Sequence, residues 1–302
     1  MAAIGSELTG MIAHVGPNLP QELLRATGRH AGPLAFDPDR PTPIADQWME
    51  TKFAPWALVI LEGWAAGEYD ALAQVMFSRA DDSAQRLYYY LCELQRRGLV
   101  GGPEPLILDI AKVPRNSSID RTEHSLRQMV ARLGVSQSEL IGAVEACNTE
   151  RESTPVSSES GPVCLLAGTP PPDRRLHDMA TGVGFAAIGP TLLETWTQLG
   201  SKVDTNSDPL AALARQVHAD PAGPRSFADA GAALGDAVSA HRADAVVLWQ
   251  IEEDEAQAWH LPAQRATLSA AGVPSLVMTR RDWLARDGAP EEIAAFLQGV
   301  HR

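Results

Sequence analysis

The stretch ADAVVLWQIEEDEAQAWHLPAQRATLSAAGVPSLVMT (Ala243–Thr279) opens with a largely apolar run, ADAVVLWQI. Such a run reads as a strand buried on both faces. Four carboxylates follow at Glu252, Glu253, Asp254 and Glu255, then a helical pattern from Trp259 to Ala271, then an Ala-Gly-x-Pro turn into a second strand, VPSLVMT. Strand, helix and strand in that order make a parallel pair with its crossover on one face of the sheet.

The same alternation extends in both directions. Downstream, Pro290 to Gly299 reads as a terminal helix. Upstream lie VCLLAG (Val163–Gly168) as strand, PPDRRLHDMATG as helix and VGFAAIG as strand. A long loop-rich segment with one short helix (199–226) and a helix from Phe227 to His241 follow. STPVSSESGP (Ser153–Pro162) is polar, rich in Ser, Pro and Gly, and reads as a linker. Before it, PQELLRATG reads as a helix, GPLAF as a strand and Ala45 to Ala66 as a helix. ALAQVMF is a strand, Asp81 to Arg97 a helix and PLILDI a strand, with two amphipathic helices over Ser118–Gly134 and Ser136–Arg151. The expected fold is α/β, with two parallel-sheet domains of Rossmann or flavodoxin-like type, residues 1–155 and 156–302. No repeat of solenoid period is present.

The chain has 302 residues, 45% of them apolar, and a formal net charge of -13. An acidic surface repels phosphate backbones and anionic lipid, so neither nucleic acid nor a membrane surface is expected as a partner. MAAIGSELTGMIAHVG lacks a basic n-region and a long apolar run, and no stretch approaches 18 uninterrupted apolar residues. The expected location is cytoplasmic. Cys92, Cys147 and Cys164 are odd in number, widely spaced and without a CxxC, so neither a disulfide framework nor a four-thiolate site is expected.

Parallel sheets bind ligands at the carboxyl ends of their strands. Three strand ends are therefore candidates: SRADD (Ser78–Asp82), GTPPP (Gly168–Pro172) and EEDE (Glu252–Glu255). Asp81 and Asp254, with Glu252 and Glu253, could share protons or bind a hard cation if they converge, and Arg79, Gly168 and Thr169 are candidate ligand-binding residues. A solvated turn is the plain alternative for the acidic run. The glycines of GVGFAAIGP precede and lie within a strand, which is not the dinucleotide-binding arrangement, and no P-loop or GxSxG motif occurs. His177 and Asp178 are adjacent on a helix with no serine in a nucleophile context, and the cysteines read as core residues.

Several local patterns resemble the subunits of 2-hydroxyacyl-CoA dehydratases and benzoyl-CoA reductases. PQELLRATGRHAGPL resembles their N-terminal entry. EGWAAGEYDALAQVMFSRADDSAQRLYYYL resembles their helix, Gly-x-Tyr-Asp turn, strand and Arg-Leu-Tyr helix. IAKVPRNSSIDRTEHSL resembles their Pro-Arg segment, EACNTER their Asn-x-x-Arg helix, and VCLLAGTPPP the strand opening their second domain. Ala243–Thr279 resembles their last strand–helix–strand unit. The resemblance runs from about residue 20 to 300 and implies two α/β domains with a cleft between them. It also implies an acyl-CoA ligand and, in cluster-bearing subunits, a [4Fe–4S] cluster on three cysteines. Here the corresponding positions fall at or near Ala54, at Asp81 and at Asp254. Carboxylates are hard ligands where iron–sulfur chemistry needs soft thiolates. The resemblance therefore implies no cluster of the chain's own, a cluster on a homologous partner subunit or else a homodimer, and work as the partner of a cluster-bearing subunit in a dehydratase (lyase) complex or as an acyl-CoA-binding protein in a specialised pathway. The alternative expectation is a redox-neutral lyase using Asp81 and Asp254 for acid–base chemistry or a divalent metal.

Overall fold

The computed structural model describes residues 9–49, 52–153, 161–221, 223 and 227–300. Contacts divide the chain into two compact units. The first comprises Met1–Phe53, Ala57–Pro155 and Trp196–Phe227, the second Ala54–Trp56, Val156–Thr195 and Ala228–Arg302. Each holds a four-stranded, all-parallel sheet, so the α/β class expected from the strand–helix alternation is the class observed. A single cut near residue 155 does not separate the units, because Trp196–Phe227 returns to the first.

In the first unit the strands are β1 (Ile12–Val15), β2 (His30–Pro33), β3 (Gln74–Ser78) and β4 (Glu104–Leu108), in the order β2-β1-β3-β4. Helices α1 (Gln21–Ala26), α2 (Ala45–Trp48), α3 (Pro55–Ala65), α4 (Asp82–Arg96), α5 (Asn116–Leu133), α6 (Gln137–Ser153) and α9 (Pro209–Ala219) surround them, α3 beginning at the edge of this unit. Alternate residues of β3 point to opposite faces. Met76 joins Ile12, Leu24, Leu106, Leu126, Leu140 and Leu213 in one core, while Phe77 packs against Trp64 and Tyr88 on the other face. The second unit repeats the topology with β5 (Val163–Gly168), β6 (Ala186–Ile188), β7 (Ala245–Ile251) and β8 (Ser275–Arg281) in the order β6-β5-β7-β8. Its helices are α7 (Arg175–Gly182), α8 (Leu192–Thr197, whose last two residues fall in the first unit), α10 (Ala230–His241), α11 (Leu261–Ala271) and α12 (Ala289–Val300). Every residue of β7 is buried, as its apolar run requires.

Five elements differ from the sequence reading. The strand expected at GPLAF (Gly32–Phe36) lies instead at His30–Pro33. Strand β1 lies at the centre of the first sheet, yet its four residues IAHV are too short to show a period. The expected helix from Ala45 to Ala66 is two helices, the second starting at Pro55, where the missing N–H and fixed φ suit a first turn. Helix α8 was not expected, although Thr191-Leu-Leu-Glu194 is a capping box in which the Thr191 N–H donates to the Glu194 carboxylate at 2.7 Å. The helix expected from Trp259 begins as a 3₁₀ turn (Glu255–His260) and becomes α-helical at Leu261. Residues 154–160 of the expected linker lie outside the described residues.

Trp196–Phe227 is held to the first unit by buried polar contacts. Arg151 is 9% exposed and Glu22 1% exposed, and they form an ion pair at 2.5 Å. The same guanidinium donates to Leu199 O, Gly200 O and Asn148 Oδ1, and the Asn148 amide exchanges two hydrogen bonds with the Val203 backbone at 2.9 and 3.0 Å. Lys112 Nζ donates to Val217 O and Asp220 O, both at 2.7 Å, at the end of α9. The Trp196 carbonyl accepts from Gln21 Nε2 at 3.0 Å and from His14 Nε2 at 3.1 Å. Since a carbonyl only accepts, His14 carries its proton on Nε2, and its Nδ1 accepts from His30 Nε2 at 2.9 Å.

Removing one member of the buried pair strands the other charge. Arg151→Ala should cost about 3–5 kcal/mol in denaturant unfolding. A loss under 1 kcal/mol, the range of an exposed pair, would refute this account of the anchor.

Burial, with help from the charge of His30, lowers His14 to about 3; burial and nearby Arg25 lower His30 to about 4. The unfolded chain thus binds protons below its ordinary histidine pKa that the folded chain refuses, and stability falls as pH drops from about 6.5 toward 4. His30→Gln, which can still donate to His14, should flatten that slope. Identical slopes in wild type and variant, measured by urea midpoint against pH, would show that the pair does not set it.

Candidate functional site

Both sheets have a switch point, between β1 and β3 in the first unit and between β5 and β7 in the second, where chain connections leave in opposite directions.

In the second unit Gly168 ends β5 at φ +99°, and a Cβ there would lie 2.2 Å from the Trp249 carbonyl oxygen of β7. Only glycine lets the two strand ends approach this closely. The next residue, Thr169, donates its backbone N–H to Trp249 O at 2.8 Å and its hydroxyl to Asp254 Oδ2 at 2.9 Å. The GTPPP and EEDE strand ends therefore meet across the switch point, through Thr169 and Asp254. Burial raises the Asp254 carboxyl above its ordinary range, opposed by the Thr169 hydrogen bond and by nearby His260. Glu253 is also raised, first by desolvation and then by Glu252 and Asp282. Glu252 is exposed and pairs with Arg280 at 3.1 Å. Arg280 has φ +57° in an irregular stretch of the β7–β8 ladder, where the register shifts between Trp249 and Ile251. Trp259, in the 3₁₀ turn that follows, is 86% exposed.

In the first unit Asp81 caps helix α4, accepting from Ala84 N at 2.8 Å. That role follows from residue type and place, since Asp is a favoured N-cap and its charge suits a helix N-terminus. Arg79 pairs with Asp109 at 2.7 Å, and Arg121 binds the other oxygen of the same carboxylate through Nε and Nη2. The Asp109 and Ala111 N–H groups are in turn held by the hydroxyls of Ser125 and Thr122 on α5. Sequence reasoning did not identify Asp109 or Arg121 because nothing local ties a strand-end carboxylate to an arginine twelve residues later.

The cysteines stand away from the strand ends. Cys164 lies within β5 and burial pushes its thiol up to about 12; Cys147 is buried on α6 and pushed up to about 11. Cys92 lies in α4, also raised by desolvation. Such thiols are poor thiolate ligands. Among the described residues, no three His, Cys, Asp or Glu side chains are grouped to hold a metal ion. His177 is buried and donates from Nε2 to Gly189 O at 2.7 Å. Among the described residues no helix is long and apolar enough to cross a membrane. No protein-family model and no curated protein matches the chain.

A carboxyl whose folded pKa is raised costs stability once it ionises, and that cost vanishes below the unfolded pKa. Asp254→Asn keeps an acceptor for Thr169 and removes the half-buried charge. Its thermal midpoint should equal or exceed wild type at pH 7, with the difference closing as pH falls toward 4. A variant clearly less stable at pH 7 would mean that the ionised carboxylate has a partner worth more than its desolvation.

Proposed function

We propose that this chain is a cluster-free member of the 2-hydroxyacyl-CoA dehydratase and benzoyl-CoA reductase subunit family, serving as the partner of a homologous cluster-bearing subunit and contributing to its acyl-CoA site. The observation that carries this reading is the fate of the three ligand positions. Ala54 offers no ligand, Asp81 is committed to capping a helix, and Asp254 is hydrogen-bonded to Thr169. The remaining cysteines are core or helix residues with raised thiol pKa values. Two parallel-sheet units agree with the architecture that the resemblance implies. Low-potential dehydration needs a cluster, so a chain of this kind acts through a partner that has one.

A second reading has its own support in the raised, half-buried carboxyl of Asp254 at a switch point. In it, Asp254 acts as a general acid in a redox-neutral elimination, with Thr169 holding the carboxyl in place.

The deciding experiment is anaerobic purification of the chain, alone and co-expressed with a cluster-bearing homologue encoded nearby, with iron and sulfide assays on both. The partner reading expects a colourless lone chain and a brown complex whose dehydration of a 2-hydroxyacyl-CoA needs both subunits. Stoichiometric iron and sulfide in the lone chain would overturn it. Turnover by the lone chain, abolished in Asp254→Asn, would establish the second reading instead.

A further inference from the structure

The two units repeat one topology but join equivalent strands to their next helices differently. In the first unit three residues, 79–81, connect β3 to α4. In the second, nine residues, 252–260, connect β7 to α11, and six of them form the 3₁₀ turn Glu255–His260. None of those six is buried, so the turn adds nothing to the core of its unit. Its backbone is nevertheless fixed. Asp254, at its head, is bonded to Thr169, and Gln257 O accepts from Gln250 Nε2 at 3.3 Å. Pro262 then stands in the first turn of α11.

The turn presents Trp259, 86% exposed, ahead of Phe227 at 65% and Tyr89 at 55% among the described residues. A tryptophan held out on a fixed backbone costs little further ordering when a partner covers it, and buried tryptophans dominate interface energetics. Ala256, Ala258 and Ala263, in and after the turn, are exposed and small, which leaves room for a second surface to approach. The rim is acidic. Glu252, Glu253 and Glu255 are all exposed, and Arg280 pairs with Glu252. Desolvation first, then the charges of Glu252 and Asp282, raises the Glu253 carboxyl, so these carboxylates repel one another. A cation brought to the rim relieves that repulsion.

We infer that the 3₁₀ turn after β7 is a docking surface for the partner subunit, which offers a hollow for the Trp259 indole with an arginine or lysine at its edge. The inference rests on the partner reading given above and names the surface that the partner meets. The partner's cation stacks on the indole face and faces Glu253 and Glu255. Charge decides the occupant, because an acidic rim repels a nucleic acid or an anionic ligand.

The test mixes the full chain with the cluster-bearing homologue encoded nearby, both purified anaerobically, and measures the dissociation constant by sedimentation velocity at low and high salt. Trp259→Ala should weaken the complex about tenfold or more and Trp259→Phe less, while the thermal midpoint of each lone variant stays at the wild-type value. Glu253→Gln combined with Glu255→Gln should weaken the complex at low salt and flatten its salt dependence. Wild-type affinity in Trp259→Ala would overturn the docking surface and leave the partner reading standing. A wild-type complex indifferent to salt would overturn the cationic occupant, and the inference with it. If the two wild-type chains form no complex, the partner reading itself fails.

Discussion

The Glu22–Arg151 ion pair is the contact on which the first unit's integrity rests. Both partners are almost wholly buried, and a buried pair is favourable only if its remaining hydrogen-bonding capacity is used. Arg151 meets that condition with the carbonyls of Leu199 and Gly200 and the Asn148 amide, and Asn148 then closes on Val203. One guanidinium thereby ties α1, α6 and the returning segment together. Segment 196–227 is polar and loop-rich, and local propensity gives it little besides α9. Its place is set by these side chains and by the apolar seam of Val203, Leu210, Leu213 and Val217 in the first core.

This arrangement explains what the sequence disclosed and what it hid. Strands β5 and β7 were legible because a strand buried on both faces must be continuously apolar. Helices α4, α5 and α6 were legible because amphipathic spacing and caps are local. Strand β1 was not legible, since four residues carry no period, although it pairs with two neighbours. The return of Trp196–Phe227 was equally invisible. It depends on Glu22 meeting Arg151 across 129 positions, and neither residue is unusual where it stands. Both lie in patterns singled out for other reasons, PQELLRATG and EACNTER, and the fold supplies the physical cause for finding them in one chain.

At the site, the strand-end argument placed Thr169 and Asp254 at the second switch point, where they form a hydrogen bond. It could not separate a carboxylate with chemistry from one with a structural task. Asp81 illustrates the second case. Its side chain accepts from the first turn of α4, a bond worth about 1 kcal/mol that a thiol supplies poorly.

The two switch points share a topology but are filled differently. In the first unit the loop after β1 is occupied from within: Asn18 is bonded to Asp220, and Gly16 is so close to β3 that a Cβ would lie 2.9 Å from the Ser78 Cβ. In the second unit the strand ends are joined through Thr169, whose N–H donates to Trp249 O and whose hydroxyl donates to Asp254, the carboxyl pKa is raised, and the ladder to β8 is irregular beside it with a non-glycine residue at positive φ. Bulges and positive φ at a strand end cost free energy that a purely structural turn has no reason to retain. Both switch points carry such a residue, Asn18 after β1 and Arg280 on β8, and the second adds a register shift in its ladder and a raised carboxyl.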